Sequence, residues 1–178
     1  MIAIISALDA EAKKTVRGIW QELHDICQLQ GIFNFPTPHF SWFSAENLQL
    51  SRVEPILDQM AQDLDPIQVD AFGLGIFSGA YPVLYLPVVK TRELFAYHRR
   101  VWDQAQPYTT GTTLYYSPDL WIPHITLAMG DLTPEALPCA INALAFAPRQ
   151  LTSRVDNIMV VEQKGRAIGQ TLLRFDFS

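Results

Sequence analysis

The sequence predicts an α+β fold of two pseudo-symmetric lobes, each an antiparallel sheet with flanking helices, around a central groove. Three observations predict it. Strand-like and helix-like stretches alternate along all 178 residues without a low-complexity tract or a charged block. The two halves, about 1–80 and 81–178, run through the same order: strand, helix, strand, histidine strand, helix, strand. Each half also carries one Pro-His-x-Ser/Thr unit, Pro38-His39-Phe40-Ser41 and Pro123-His124-Ile125-Thr126. A chain of this length fills one core, or two small lobes sharing an interface, so a single domain over 1–178 is expected.

The elements follow in order. Residues 2–7 read as a buried, isoleucine-rich strand. A helix over about 9–28 is capped by Asp9 or Ser6, presents Ala12, Val16, Ile19 and Leu23 on one face, and ends near Gly31. Ile32 to Phe35 reads as a short strand, and Pro36-Thr37-Pro38 as a stiff, extended approach to His39. The histidine strand covers 39–43, and a helix starting near Asn47 or Ser44 runs to Leu64. Pro55 fits that helix better if its first turn begins near Ser51 or Glu54.

Residues 67–77 and 81–89 read as strands, and Thr91 caps a helix over 92–105. Residues 109–116 read as a turn followed by a β-prone segment. The second histidine strand lies within 121–129. Thr133-Pro134-Glu135 starts a helix to about Phe146. Two last strands, 149–162 and 166–177, are joined by a tight turn at Lys164-Gly165.

Composition narrows the function. A formal charge of −5 argues against coating long nucleic acid through a broad basic face, but leaves room for a small anionic ligand. The opening apolar run is short, lacks a basic flank and soon meets Asp9 and Glu11, so neither a membrane span nor a leader is expected. Cys27 and Cys139 lack any Cys-x-x-Cys spacing and read as buried thiols in a reducing, cytoplasmic setting.

In a strand, alternate residues share a face, so His39 points with Ser41 and His124 with Thr126. Two imidazoles facing each other suit a reaction in which one proton is removed and another delivered. A hydroxyl beside each can donate to a non-bridging phosphate oxygen, which makes a cyclic phosphodiester a fitting target. Tyr115, Tyr116 and Trp121 flank a Ser-Pro-Asp loop and are candidates for stacking on a base. His24 and His98 lie in helices without a neighbouring hydroxyl and read as structural. No carboxylate cluster accompanies the histidines, so no metal site is expected. Gly73-x-Gly75 lacks the spacing of a nucleotide-binding glycine loop.

The paired units resemble the His-x-Ser/Thr signatures of the two-histidine (2H) phosphoesterase superfamily, which includes the bacterial RNA 2′,3′-cyclic phosphodiesterases, or 2′-5′ RNA ligase-like proteins. The resemblance covers nearly the whole chain. It implies His39 and His124 as the acid–base pair, Ser41 and Thr126 as phosphate ligands, and hydrolysis of a cyclic phosphate on a nucleotide or short RNA end. It implies no metal and no cofactor, and a monomer is expected. In the commoner family assignment the first histidine protonates the leaving ribose oxygen and the second activates water. Reversible 2′-5′ ligation and non-catalytic binding of a nucleotide or short RNA are the alternatives. Several bacterial members carry a basic residue shortly after the second motif. This chain has Met129 there and Ser44 at the matching place after the first, leaving Arg92, Arg99, Arg100, Arg149 and Arg154 as sources of positive potential.

Overall fold

A computed structural model describes residues 1–35, 37–164 and 167–178. Pro36 of the expected rigid approach, and Gly165 of the expected Lys164-Gly165 turn, lie outside the described residues. The four α-helices form where caps and apolar stripes coincide. Helix α1 (Ala10–Cys27) begins at Asp9, whose carboxylate accepts the Ala12 N–H at 2.9 Å, and buries Ala12, Val16, Ile19, Trp20 and Leu23. It ends at Gln28, in the left-handed conformation at φ 60°, rather than at Gly31. Helix α2 (Leu50–Asp63) contains Pro55 and buries Val53, Leu57, Met60 and Ala61. Helix α3 (Arg92–Ala105) starts at Thr91, whose hydroxyl accepts the Leu94 N–H at 3.1 Å. Helix α4 (Ala136–Ala145) follows Thr133, whose hydroxyl accepts the Ala136 N–H at 3.2 Å.

Ten strands, β1 (Ile2–Ala7), β2 (His39–Leu48), β3 (Ile67–Phe72), β4 (Gly75–Phe77), β5 (Val83–Pro87), β6 (Thr109–Thr112), β7 (His124–Met129), β8 (Gln150–Val155), β9 (Asn157–Lys164) and β10 (Ala167–Asp176), complete the described fold. Strands β10-β9-β1-β2-β6 form one antiparallel sheet. Strands β4-β5-β7 and β3-β8 form the other, joined by the Ala71–Val88 bridge. Helices α2 and α3 pack on the first sheet, α1 on the second, and α4 against α1. The α+β architecture is the one expected, and β2 and β7 run beside each other where the sheets meet. The pairing crosses the midpoint of the chain: β6, β9 and β10 join β1 and β2, while β3 and α1 lie with β5 and β7.

Several expected elements differ, each through a distant partner. Residues 31–34 form a 3-10 turn instead of a strand, because the Asp131 carboxylate accepts the N–H groups of Gln30 and Gly31 at 2.6 and 2.8 Å. Strand β2 runs to Leu48, delaying α2, because β6 pairs with Ala45, Asn47 and Leu48. The 67–77 stretch breaks at Gly73, whose φ of 79° suits glycine. The 149–162 stretch breaks at Asp156, where the chain passes from one sheet to the other.

That passage is stitched to the other crossing, between β1 and α1. Asn157, buried, accepts the Ala7 N–H and donates to the Ala7 carbonyl, both at 2.9 Å, so its amide acts as an extra strand residue. Buried Ser6 donates to the Asn157 carbonyl and accepts the Trp42 indole N–H at 2.7 Å. Asp9 accepts the Arg154 N–H at 2.7 Å. Asn157→Ala leaves two buried backbone groups of Ala7 unpaired and is expected to cost about 2 kcal/mol. At this chain length that corresponds to a Tm lower by about 4–8 °C in a calorimetric melt. An unchanged Tm would show that the stitch carries no stability.

The cysteine reading is corrected. Cys27, closing α1, and Cys139, in α4, form a disulfide across 112 positions of sequence, so neither is a buried thiol. Sequence spacing could not reveal this, because the two meet only when α1 and α4 pack together. No helix among the described residues is long and apolar enough to cross a membrane.

Candidate active site

The two histidine strands are built alike. His39 pairs with Ala7 of β1, and His124 with Pro87 of β5. The carbonyl before each histidine is held by the neighbouring strand's exit: Leu8 N–H donates to Pro38 at 3.2 Å, and Val88 N–H to Pro123 at 2.9 Å. Each strand has a bulge at the same place. Ser41 faces Ile5 while Phe43 faces Ile4, so Trp42 is the extra residue; Thr126 faces Tyr85 while Ala128 faces Leu84, so Leu127 is. A bulge bends its strand and re-aims the side chains beside it, here the two hydroxyl residues.

Each imidazole is fixed by the same bond. His39 Nδ1 lies 2.9 Å from the Thr37 carbonyl, and His124 Nδ1 lies 2.7 Å from the Ile122 carbonyl. A carbonyl oxygen only accepts, so each Nδ1 carries the hydrogen and each neutral ring keeps its Nε2 lone pair for another partner. Burial pushes His39 down to about 4, against the pull of the Thr37 carbonyl and with a further lowering from His124. The charge of one ring is thus felt at the other. Burial also lowers His124, opposed by the Ile122 carbonyl.

Aromatic walls hold the rings. Phe35 stacks on His39 with centroids 5.8 Å apart. Phe77 meets His124 edge-on at 4.8 Å, and Tyr85 leans on it at 5.2 Å. These three side chains were not singled out in the sequence. Tyr85, Phe35 and Phe77 all lie in stretches that read simply as strand.

Ser41 and Thr126 are both half-buried beside their histidines. Burial raises the Tyr116 hydroxyl, opposed by the neighbouring Ser41 side chain. Tyr115 stands out at 78% exposure. Trp121 is 2% exposed, stacks on His98 at 3.8 Å and on Trp42 at 5.7 Å, and leaves no face open to a base. Its place is in the core, where the Ser-Pro-Asp loop turns it inward. His98 is fully buried, and its Nε2 donates to the Tyr116 carbonyl at 3.0 Å. His24 lies beside Asp25 on α1.

The arginines are spent in several ways. Arg149 forms a two-pronged ion pair with Glu22 at 2.8 and 2.9 Å and donates to the Ala143 and Leu144 carbonyls, closing α4. Arg100 pairs with Asp63, while the side chains of Arg92, Arg99 and Arg154 are exposed. Met129 is half-buried at the end of β7, opposite Val83, and Ser44 is buried in β2. Among the described residues no group of three or more His, Cys, Asp or Glu is placed to hold a metal.

The half-buried, neutral rings give a pH prediction. The unfolded pKa of histidine is near 6.5 and the folded value of His39 is about 4, so its neutral form contributes stability above 6.5 that is lost as pH falls towards 4. An anion between the rings favours the protonated form. The NMR titration midpoint of His39 should therefore rise when inorganic phosphate is added. A midpoint unmoved by phosphate would place the anion elsewhere.

The 2′-5′ RNA ligase superfamily matches residues 13–167 of the chain. No curated protein matches it in sequence. Among solved structures, TT0787 of Thermus thermophilus superposes with a TM-score of 0.67 at 16% identity, covering 99% of this chain and 97% of that one. LigT of E. coli, solved with 3′-AMP, gives 0.63 at 15% identity over the same shares. Usb1 of Kluyveromyces marxianus gives 0.55 at 9%, again over 99% and 97%. At these identities the structures establish a shared fold.

Proposed function

We propose, on the premise that the chain belongs to the 2′-5′ RNA ligase superfamily, that it hydrolyses a cyclic phosphodiester without a metal. The substrate class is a nucleoside 2′,3′-cyclic phosphate or an RNA end carrying one. The observation that carries this reading is the duplicated anchoring of the imidazoles. Each Nδ1 is tied to a carbonyl two residues before it, so each Nε2 is free to take or give a proton. In the reaction His124 Nε2 takes a proton from water as its oxygen attacks phosphorus. The bond from phosphorus to one ribose oxygen breaks, and His39, protonated while the anion is bound, gives its proton to that oxygen. The hydroxyls of Ser41 and Thr126 donate to the non-bridging oxygens, where negative charge builds. Tyr115, exposed beside Tyr116, offers a ring on which a base can stack.

Halves 1–80 and 81–178 are then two copies of one unit, each supplying one histidine and one hydroxyl. The 3′-AMP bound to the E. coli relative supports a nucleotide of this kind as the ligand. Incubation with 2′,3′-cyclic AMP tests the proposal, with the monoester product followed by phosphorus NMR. Turnover that persists with a chelator is expected. Turnover abolished by the chelator would overturn the metal-free reaction, and no turnover at all would leave only a nucleotide-binding role.

A further inference from the structure

We infer that Trp20 and Trp121 are positioning residues for the two phosphate ligands, each acting through one indole N–H. Trp121 donates to the backbone carbonyl of Ser41 at 3.0 Å, and Trp20 to the backbone carbonyl of Thr126 at 3.1 Å. The inference rests on the reading of Ser41 and Thr126 as phosphate ligands and adds what holds them.

A buried indole generally finds some acceptor for its N–H, so one such bond would call for nothing beyond packing. Here two tryptophans of different origin choose the same atom of the same motif position. Trp20 comes from the middle of α1, and Trp121 from the segment leading into β7. The carbonyl each holds immediately precedes the extra residue of a bulge, Trp42 or Leu127, where the β1–β2 or β5–β7 register slips. A strand is most easily re-aimed at a bulge, and a donor on the carbonyl there fixes the peptide plane and with it the direction of the hydroxyl side chain. Both indoles are rigidly seated: Trp121 between His98 and Trp42, and buried Trp20 edge-on to Phe33 at 6.4 Å. Tyr116, on the same segment as Trp121, also neighbours the Ser41 side chain. The segment before one histidine thus sets the phosphate ligand beside the other.

The test is a pair of double-variant cycles. Each tryptophan is replaced by phenylalanine and, separately, by 3-benzothienylalanine, which keeps the bicyclic shape and lacks the donor. If Trp→Phe disturbs folding at these buried sites, the isostere still reads the bond. Loss of either donor should lower kcat/KM for 2′,3′-cyclic AMP on the order of tenfold, chiefly in kcat, with the Tm held by the isostere. In a Ser41→Ala background, loss of the Trp121 donor should cost nothing further, and likewise for Trp20 in Thr126→Val. The crossed pairs should multiply. Full kcat/KM in the isosteric variants would overturn the inference, as would a loss of the same size with the hydroxyl absent. If the wild type does not turn over 2′,3′-cyclic AMP, the phosphodiesterase reading alone fails. The same cycles are then read on the affinity for inorganic phosphate, where absence of coupling overturns the positioning role.

Discussion

His39→Ala and His124→Ala are each expected to lower kcat for 2′,3′-cyclic AMP about 10²–10⁴-fold, the span of a single acid or base role. Neither ring can cover for the other. Both Nδ1 atoms are committed to backbone carbonyls, at Thr37 and Ile122, so each residue has one free nitrogen and one proton to exchange. The two losses should not multiply in the double variant, because removing either role already forfeits the concerted transfer. The fold should survive, since each ring is half-buried and its aromatic neighbours belong to other segments, Phe35 to the end of the 31–34 turn and Phe77 to β4. Steady-state rates with a circular dichroism melt of each variant make the check. Wild-type turnover in either single variant would rule out the proton-transfer pair.

Reduction of the Cys27–Cys139 disulfide is expected to cost about 2–4 kcal/mol, because it frees the unfolded chain from a closed loop of more than a hundred residues. At this chain length the Tm should fall on the order of 10 °C when a dithiol is added. The site should be spared below that lower Tm. The staple joins α1 to α4, and the Arg149–Glu22 ion pair ties α1 to the end of α4 independently. A reducing cytoplasm would hold the same pair as two thiols, so the Tm under dithiol describes the protein in that setting. An identical Tm with and without reductant would show that the covalent link adds nothing to the packing of the two helices.

What the sequence made legible follows from the range of the forces involved. Asp9 and Thr91 cap their helices as read, because a cap is a bond over three residues and needs no partner from elsewhere. Strand ends were misread wherever a distant segment decides them. Leu48 is still strand because Thr109 lies opposite, and residues 31–34 turn because Asp131 holds their N–H groups. The histidine pair was visible as a repeated motif, and the structure anchors both rings in the same way. The walls of the site were not visible. Phe35, Phe77 and Tyr85 read as ordinary strand residues, and Trp121 reads as a base-stacking candidate beside the Ser-Pro-Asp loop, whereas Trp42 and His98 cover its two faces. The disulfide left no trace in spacing, since 112 positions of sequence say nothing about a distance set by helix packing.

The most direct measurement is a crystal structure with adenosine 3′-monophosphate bound. One phosphorus atom within hydrogen-bonding reach of both Nε2 atoms through its oxygens, with the Ser41 and Thr126 hydroxyls on the remaining ones, is the predicted result. A phosphate seated against one ring alone, or away from both, would contradict it.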